Sequence, residues 1–385
     1  MFAVIAYHFK FINVNSFIVW VGLFAVPLFL NYFLFSPYLF PDQFSYTSEF
    51  SSVRSTGKSI DRIAIAGSFS VMGVVIENPV TWTGRILGIV PLPTYMTVTS
   101  LAFANKFLLF STFLLLKKYF INENMFLLFF LIPSIVLYSS LSLRDTLIIC
   151  ISLGFFFSMM RGRYLIALIL LLPLLNLKLQ MFAFLALYFV GRLFFRAHKS
   201  MPLLIFYLVV LIIIAFIFED DLLPIINGYR YGFAAEDLDL GNGVRGYAAW
   251  GLYGAEIMET LTINSIPDLI GRAIIGLPYL LLMPMPWEWS NIFYPIQAAE
   301  SVMLIALYCL IAIRYNLLKN QEFLFLSAIL LIALLCYSVL VFNEGTFVRY
   351  RFTLFYPFLI SIFYLGQKSP LINQKRLLTT AEEAL

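Results

Sequence analysis

The chain has 385 residues, of which 62% are hydrophobic and only 12% charged, with a formal net charge of +4 and a mean hydropathy of +0.91. A soluble domain carries about 25% charged residues because its surface faces water, so this composition excludes one and says nothing of nucleic acid. The 41 phenylalanines suit lipid-facing packing, although an AT-rich gene would supply the same excess.

A crossing helix needs about 20 largely apolar residues, and ten stretches meet that length loosely. They are 15–36, 101–116, 124–142, 146–160, 164–177, 180–195, 202–218, 296–313, 322–342 and 350–366. Three weaker stretches, near 62–78, 84–100 and 268–286, are interrupted by Gly, Pro or charge and read as re-entrant, interfacial or crossing. The expected fold is therefore all-α: one polytopic membrane bundle over 1–385 with roughly ten, and up to thirteen, spans. The first span lacks a small-residue cleavage site and reads as an uncleaved helix.

Lysine and arginine in short loops set the orientation. A cytoplasmic N-terminus puts Lys10, Lys117, Lys118, Arg161, Arg163, Arg192, Arg196, Lys199, Arg314 and Lys319 inside. The tail 367–385, with Lys368, Lys375 and Arg376, follows them. The other 12 of the 25 basic residues then fall to outer segments, chiefly 37–100 and the large loop 219–295. Short outer turns lie at Ser140–Asp145, Lys178 and Asn343–Arg351. Chemistry is expected on that face.

Pro41-Asp42-Gln43-Phe44-Ser45-Tyr46 follows the first span. Asp42 there would orient or deprotonate a sugar hydroxyl, or simply close an Asx turn. The charges at Arg54, Lys58, Asp61 and Arg62 read more simply as a solvated face. In the turn Ser139–Thr146, Arg144 would meet a phosphate while Asp145 holds it or caps the next helix. The bland alternative is a cap beside a snorkelling charge. Lys178, in a tight hairpin, either adds a cation to the same cavity or snorkels.

The loop from Asn227 to Gly254 mixes Gly, Tyr, Trp, acid and the arginines Arg230 and Arg245. Aromatic faces with arginine and carboxylate edges suit sugars, and a length near 75 residues favours a lid over a connector. Glu236, Asp237, Asp239, Glu256 and Glu259 are candidate bases, whereas Trp287-Glu288-Trp289 reads as an aromatic belt. Arg349-Tyr350-Arg351 runs against the positive-inside trend. Two guanidinium forks with a tyrosine suit a pyrophosphate, and an interfacial arginine–aromatic belt is the alternative.

Cys150, Cys309 and Cys336 lie in apolar runs without a C-x-x-C partner, so neither a disulfide framework nor a zinc site is supported. With only His8 and His198, no metal or cofactor is expected. No Walker A motif, H-E-x-x-H motif or half-to-half repeat is evident.

Pro133, Ser134, Tyr138 and Ser139 with Leu143-Arg144-Asp145, Asp42 with Tyr46, and Arg349-Tyr350-Arg351 leading to Pro357 resemble elements of bacterial Wzy-type O-antigen and EpsG-like polysaccharide polymerases. The resemblance covers the whole chain by architecture and about three short stretches by motif. It implies a GT-C-like membrane glycosyltransferase in the bacterial inner membrane, with both termini cytoplasmic. Such an enzyme joins undecaprenyl-pyrophosphate-linked oligosaccharide repeat units at the outer leaflet, beside a chain-length regulator. It further implies Arg144, Arg349 and Arg351, with Tyr350, at the pyrophosphate, and Arg230 and Arg245 clamping from the loop. Lys178 would add charge, and Asp42 or Asp145 would activate the acceptor. A flippase for the same lipid-linked glycans, another polyprenyl-dependent glycosyltransferase and an O-antigen ligase are the competing readings.

Overall fold

The structure, a computed structural model, describes residues 2–34, 42–56, 69–71, 74–76, 79–89, 97–198, 216–239, 262–288, 293–340 and 344–368. These are helical apart from turns, connections and one antiparallel pair of short strands. Among the described residues three helices are long and apolar enough to cross a membrane: Val98–Lys117, Tyr294–Arg314 and Gln321–Leu340. Four more apolar helices, Val14–Phe29, Asp145–Met160, Tyr164–Leu177 and Leu179–Phe194, run 10–17 residues. The expected span 202–218 lies outside the described residues except at its last three positions.

Two weak stretches hold short elements where they are described. Within 62–78, Phe69–Val71 (β1) pairs antiparallel with Val74–Ile76 (β2), with Val71 opposite Val74. The β-branched Val71, Val74, Val75 and Ile76 favour that pairing over a helix. In the second stretch, Pro79–Ile89 (α4) holds 11 residues and reaches only about 16 Å at 1.5 Å per residue.

The chain divides into two compact units, Met1–Ala186 with Phe363–Leu385, and Leu187–Ile362. The first contains Phe2–His8 (α1), Val14–Phe29 (α2), Asp42–Thr56 (α3), α4, Val98–Lys117 (α5), Glu123–Leu128 (α6) and Pro133–Tyr138 (α7). It also contains Asp145–Met160 (α8), Tyr164–Leu177 (α9) and the start of Leu179–His198 (α10). Its core is aromatic. Trp20 is buried against Phe110, Phe113 and Phe130 at centroid distances of 4.9, 5.5 and 5.5 Å, and Phe113 stacks on Phe126 at 5.4 Å. The expected span 124–142 is a broken helix. A 3-10 turn at Phe129–Leu131 intervenes, and Ile132 is extended (ψ 128°) ahead of Pro133. Proline disfavours the helical conformation for the residue before it.

The ends of these helices sort onto two faces of the unit. At one end Lys117 pairs with Glu123 at 3.0 Å, and Glu123 accepts the Ser16 hydroxyl at 2.5 Å. Arg161 lies 4.3 Å over Tyr119, and Gln367 accepts the Ile121 N–H at 3.0 Å. At the other end the Ser142 hydroxyl donates to the Val98 carbonyl at the start of α5, and Gln43 of α3 accepts the Ser142 N–H at 3.0 Å. Between α8 and α9, Gly162 takes the left-handed conformation (φ 72°) that glycine alone adopts without a Cβ penalty. The chain turns back there, and Gly154 of α8 meets Leu170 of α9. The segments within 15–177 therefore alternate in direction as the charge pattern predicts.

Lys106 departs from that pattern. Orientation by elimination leaves it among the outer cations, yet it is the ninth residue of α5 and fully buried. The apolar run on either side carries it into the helix, and its ammonium is held by polar groups described below.

The second unit is organised on Gln321–Leu340 (α14), with Glu219–Asp239 (α11), Ile266–Leu282 (α12), Phe293–Arg314 (α13) and most of Glu344–Gln367 (α15). Gly191 of α10 lets the Phe325 ring approach, and Arg192 pairs with Glu322. Within the expected lid 219–295, α11 and α12 are helices packed on α14 through Leu223, Ile263, Ile266, Ala273 and Val339. Asn227 ties them by accepting the Ile263 N–H and donating to its carbonyl, at 2.9 and 3.0 Å. The third weak stretch, 268–286, is thus largely α12. From Arg351 to Gln367 every residue of α15 is buried.

Two consequences follow from α12. An added Cβ on Gly276 would stand 2.6 Å from the Ser338 carbonyl oxygen, a backbone atom that has nowhere to go. Gly276→Val is expected to cost about 1–3 kcal/mol through overpacking, read as a lowered unfolding midpoint in detergent. An unchanged midpoint would show that the two helices tolerate separation.

Asp268 accepts a hydrogen bond from Arg272 at 2.8 Å in the first turn of α12. Burial raises its pKa, but the hydrogen bonds from Arg272 and the Asn264 N–H, with the charges of Arg272 and Arg230, outweigh that and leave it lowered. A lowered carboxylate stabilises above its unfolded value, and the contribution is lost as pH falls through the folded one. Asp268→Asn should therefore melt below wild type at about pH 7, and the gap should close as pH falls from the ordinary carboxylate value through the lowered folded one. A constant gap across that range would sink the assignment.

Candidate functional site

The turn from Ser139 to Asp145 lies inside the first unit. Leu141, Ser142 and Leu143 are buried, as are Ser139 and Ser140 before them and Asp145 and Thr146 after them. Arg144 is the one residue from Tyr138 to Ile149 that is not buried. The reading of this turn as open to water thus holds for one side chain. Among the described residues the Arg144 guanidinium has neither a hydrogen-bond nor an ion-pair partner.

Buried backbone must be hydrogen-bonded, and α5 and α3 supply the partners. Asn105 Nδ2 donates to the carbonyls of Leu141 and Leu143, both at 2.8 Å. Lys106 Nζ donates to Ser139 Oγ at 2.7 Å and the Val136 carbonyl at 3.1 Å. Ser139 Oγ in turn donates to the Ile135 carbonyl, while Gln43 and Val98 hold Ser142. Two helices therefore grip a seven-residue turn that shows the solvent one cation.

Asp145 is the first residue of α8, and Arg144 fills the N-cap position without a side-chain cap bond. The expected cap at Asp145 is thereby corrected. Its carboxylate lies in the first turn, where negative charge complements the helix dipole. Asp42 opens α3, one residue before Gln43, although its side chain lies outside the described residues. Lys178 is the single residue separating α9 from α10, in extended conformation. It is buried rather than snorkelling, and the alternation of α8 and α9 puts it at the same end as Arg144.

The other candidates lie in the second unit. Arg351 is 4% exposed, and its Nη1 donates to the carbonyls of Leu280, Leu281 and Met283 at 3.2, 3.0 and 2.9 Å. The last carbonyls of a helix have no partners within it, and a cation there also opposes the helix dipole. Arg351 is thus committed at the C-terminus of α12. Arg230 is likewise buried and donates to the Val339 carbonyl at the end of α14. Tyr350 packs on Tyr337 at 5.2 Å in the same last turn, and Arg349 is half-buried. Arg245, Glu256, Glu259 and Trp289 lie outside the described residues, as do the side chains of Glu236, Asp237 and Asp239. Trp287 is 72% exposed.

Sequence reasoning passed over Asn105 and Lys106. An ionisable side chain inside an apolar helix was the available signal, because such residues are rare and usually paired or functional. Asn105 carried no signal, since its role depends on the fold of a turn nearly forty residues away.

Comparison with protein-family models, with curated proteins and with solved structures finds no match to this chain.

Proposed function

We propose that the chain is a membrane glycosyltransferase that polymerises undecaprenyl-pyrophosphate-linked oligosaccharide repeat units, building O-antigen or a similar surface polysaccharide. It works at the outer leaflet of the bacterial inner membrane, on roughly ten spans of GT-C-like architecture, with both termini in the cytoplasm. The observation that carries this reading is Arg144: a half-buried guanidinium with no partner among the described residues, on an otherwise buried, hydrogen-bonded turn. The resemblance of Leu143-Arg144-Asp145 and Arg349-Tyr350-Arg351 to the polymerase elements supports it as well.

In the reaction the acceptor sugar hydroxyl attacks the anomeric carbon of the growing glycan. The new glycosidic C–O bond forms as the bond to pyrophosphate breaks, and the hydroxyl proton passes to a carboxylate, Asp42 or Asp145. Negative charge gathers on the departing pyrophosphate. A fixed cation in a partly dry site stabilises that charge without reorganising, and a guanidinium fork matches phosphate oxygens bidentately. Arg144 takes this role; the resemblance adds Arg349 to it, with Tyr350, Arg245 and Lys178 as further ligands of the glycan and its carrier. Arg230 and Arg351 instead fix the ends of α14 and α12.

A flippase for the same lipid-linked glycans is the second reading, and Lys106 favours it as a cation in the middle of an apolar helix. Its ammonium is already engaged by Ser139 and Val136, which argues for the enzyme. Purified protein in vesicles with lipid-linked repeat units separates the two. A polymerase yields a ladder of lengthened glycans, whereas translocation with unit length unchanged would overturn the proposal.

A further inference from the structure

Asn105 stands 0% exposed in α5 and spends both amide hydrogens on one short stretch, the carbonyls of Leu141 and Leu143 at 2.8 Å each. Those carbonyls bracket Ser142, whose N–H is taken by Gln43 Oε1 at 3.0 Å. Three successive residues before Arg144 are therefore tied to two helices. Among the described residues, Asn105 Oδ1 is buried with no partner. An unsatisfied buried acceptor is costly, and a leucine or alanine would avoid that cost. What the amide supplies is two donors on one rigid planar group, aimed at two carbonyls that have no helix or strand to satisfy them.

We propose that Asn105 is a positioning residue for Arg144: its carboxamide clamps Leu141 and Leu143 so that the guanidinium leaves the turn in one fixed direction toward the pyrophosphate. Gln43 supplies the third tie from α3. This rests on the reading of Arg144 as a pyrophosphate ligand, but the clamp itself is a structural claim with its own readout. Placement matters because a shift of about 1 Å at a charged group costs up to about a hundredfold in rate. Aspartate is the sharpest probe of the clamp. It is isosteric but turns a donor into an acceptor, so two carbonyls would face a carboxylate.

The test has two arms on the full chain in lipid nanodiscs. In the first, Cys150, Cys309 and Cys336 are replaced by alanine and Arg144→Cys carries a spin label. Asn105→Ala and Asn105→Asp are expected to mobilise that label, while a label at Arg163→Cys, beyond the opposite end of α8 and exposed, stays unchanged. An unaltered spectrum at 144 overturns the clamp, and equal mobilisation at both positions reduces Asn105 to a general stabiliser. In the second arm the affinity for undecaprenyl pyrophosphate is measured in a double-mutant cycle of Asn105→Ala and Arg144→Ala. The single Asn105→Ala change is expected to weaken binding roughly tenfold. In the Arg144→Ala background it should weaken binding less than about twofold, because a residue acting only through Arg144 has nothing left to position. Equal losses in both backgrounds overturn the proposal. If Arg144→Ala leaves affinity untouched, the pyrophosphate reading fails instead, and the spin-label arm still decides the clamp.

Discussion

Replacing Arg144 by alanine is expected to stop glycan lengthening, by roughly a hundredfold or more in rate, while the protein remains folded in the membrane. Removing one fixed donor from a site of developing negative charge costs about 10²–10³ in rate. The side chain is the sole non-buried one in its stretch and has no partner among the described residues, so its loss leaves no buried group unsatisfied and the unfolding midpoint should hold. Arg144→Lys should recover part of the rate, since the charge survives but the bidentate fork does not. The measurement is a glycan ladder from reconstituted protein beside a melting curve. A normal ladder from Arg144→Ala would remove this residue from the site, and a lowered midpoint would recast it as structural.

Arg351→Ala should behave in the opposite way. Its Nη1 holds three carbonyls at the end of α12 within a buried setting. Truncation would leave all three without their charged donor, and a hydrogen bond to a charged group contributes about 1.5–3 kcal/mol. A loss of about 3 kcal/mol is expected, visible as a large drop in unfolding midpoint whatever lipid is present. Binding of undecaprenyl pyrophosphate should weaken only as far as the fold does. If Arg351→Ala instead melts normally and loses the lipid, the guanidinium belongs at the pyrophosphate and its role at α12 is secondary. The two arginines, alike in sequence as outer cations, are thus separated by what surrounds them.

The same contrast explains how these residues could be read in advance. Arg144 and Arg351 both sit where the positive-inside trend fails, which marks them as unusual. Whether such an arginine faces a ligand or a helix terminus depends on which carbonyls the fold brings near. For Arg351 those carbonyls lie about seventy residues earlier in the chain, beyond any local pattern.

Composition and hydrophobic run length determined, without any structure, that the chain is a bundle of apolar helices, and the loop charges determined how helix directions alternate from α2 to α9. Those properties are local: each depends on about 20 consecutive residues and the few charges at their ends. The tertiary structure alone decided that 124–142 breaks at Pro133, that Phe69–Val71 pairs with Val74–Ile76, and that the expected lid contains two helices packed on α14. It also decided that Lys106 is interior and that Asn105 grips the Arg144 turn. The physical reason is common to all of these: a buried donor, carbonyl or charge must find a partner, and the fold rather than the neighbouring sequence determines which one it meets.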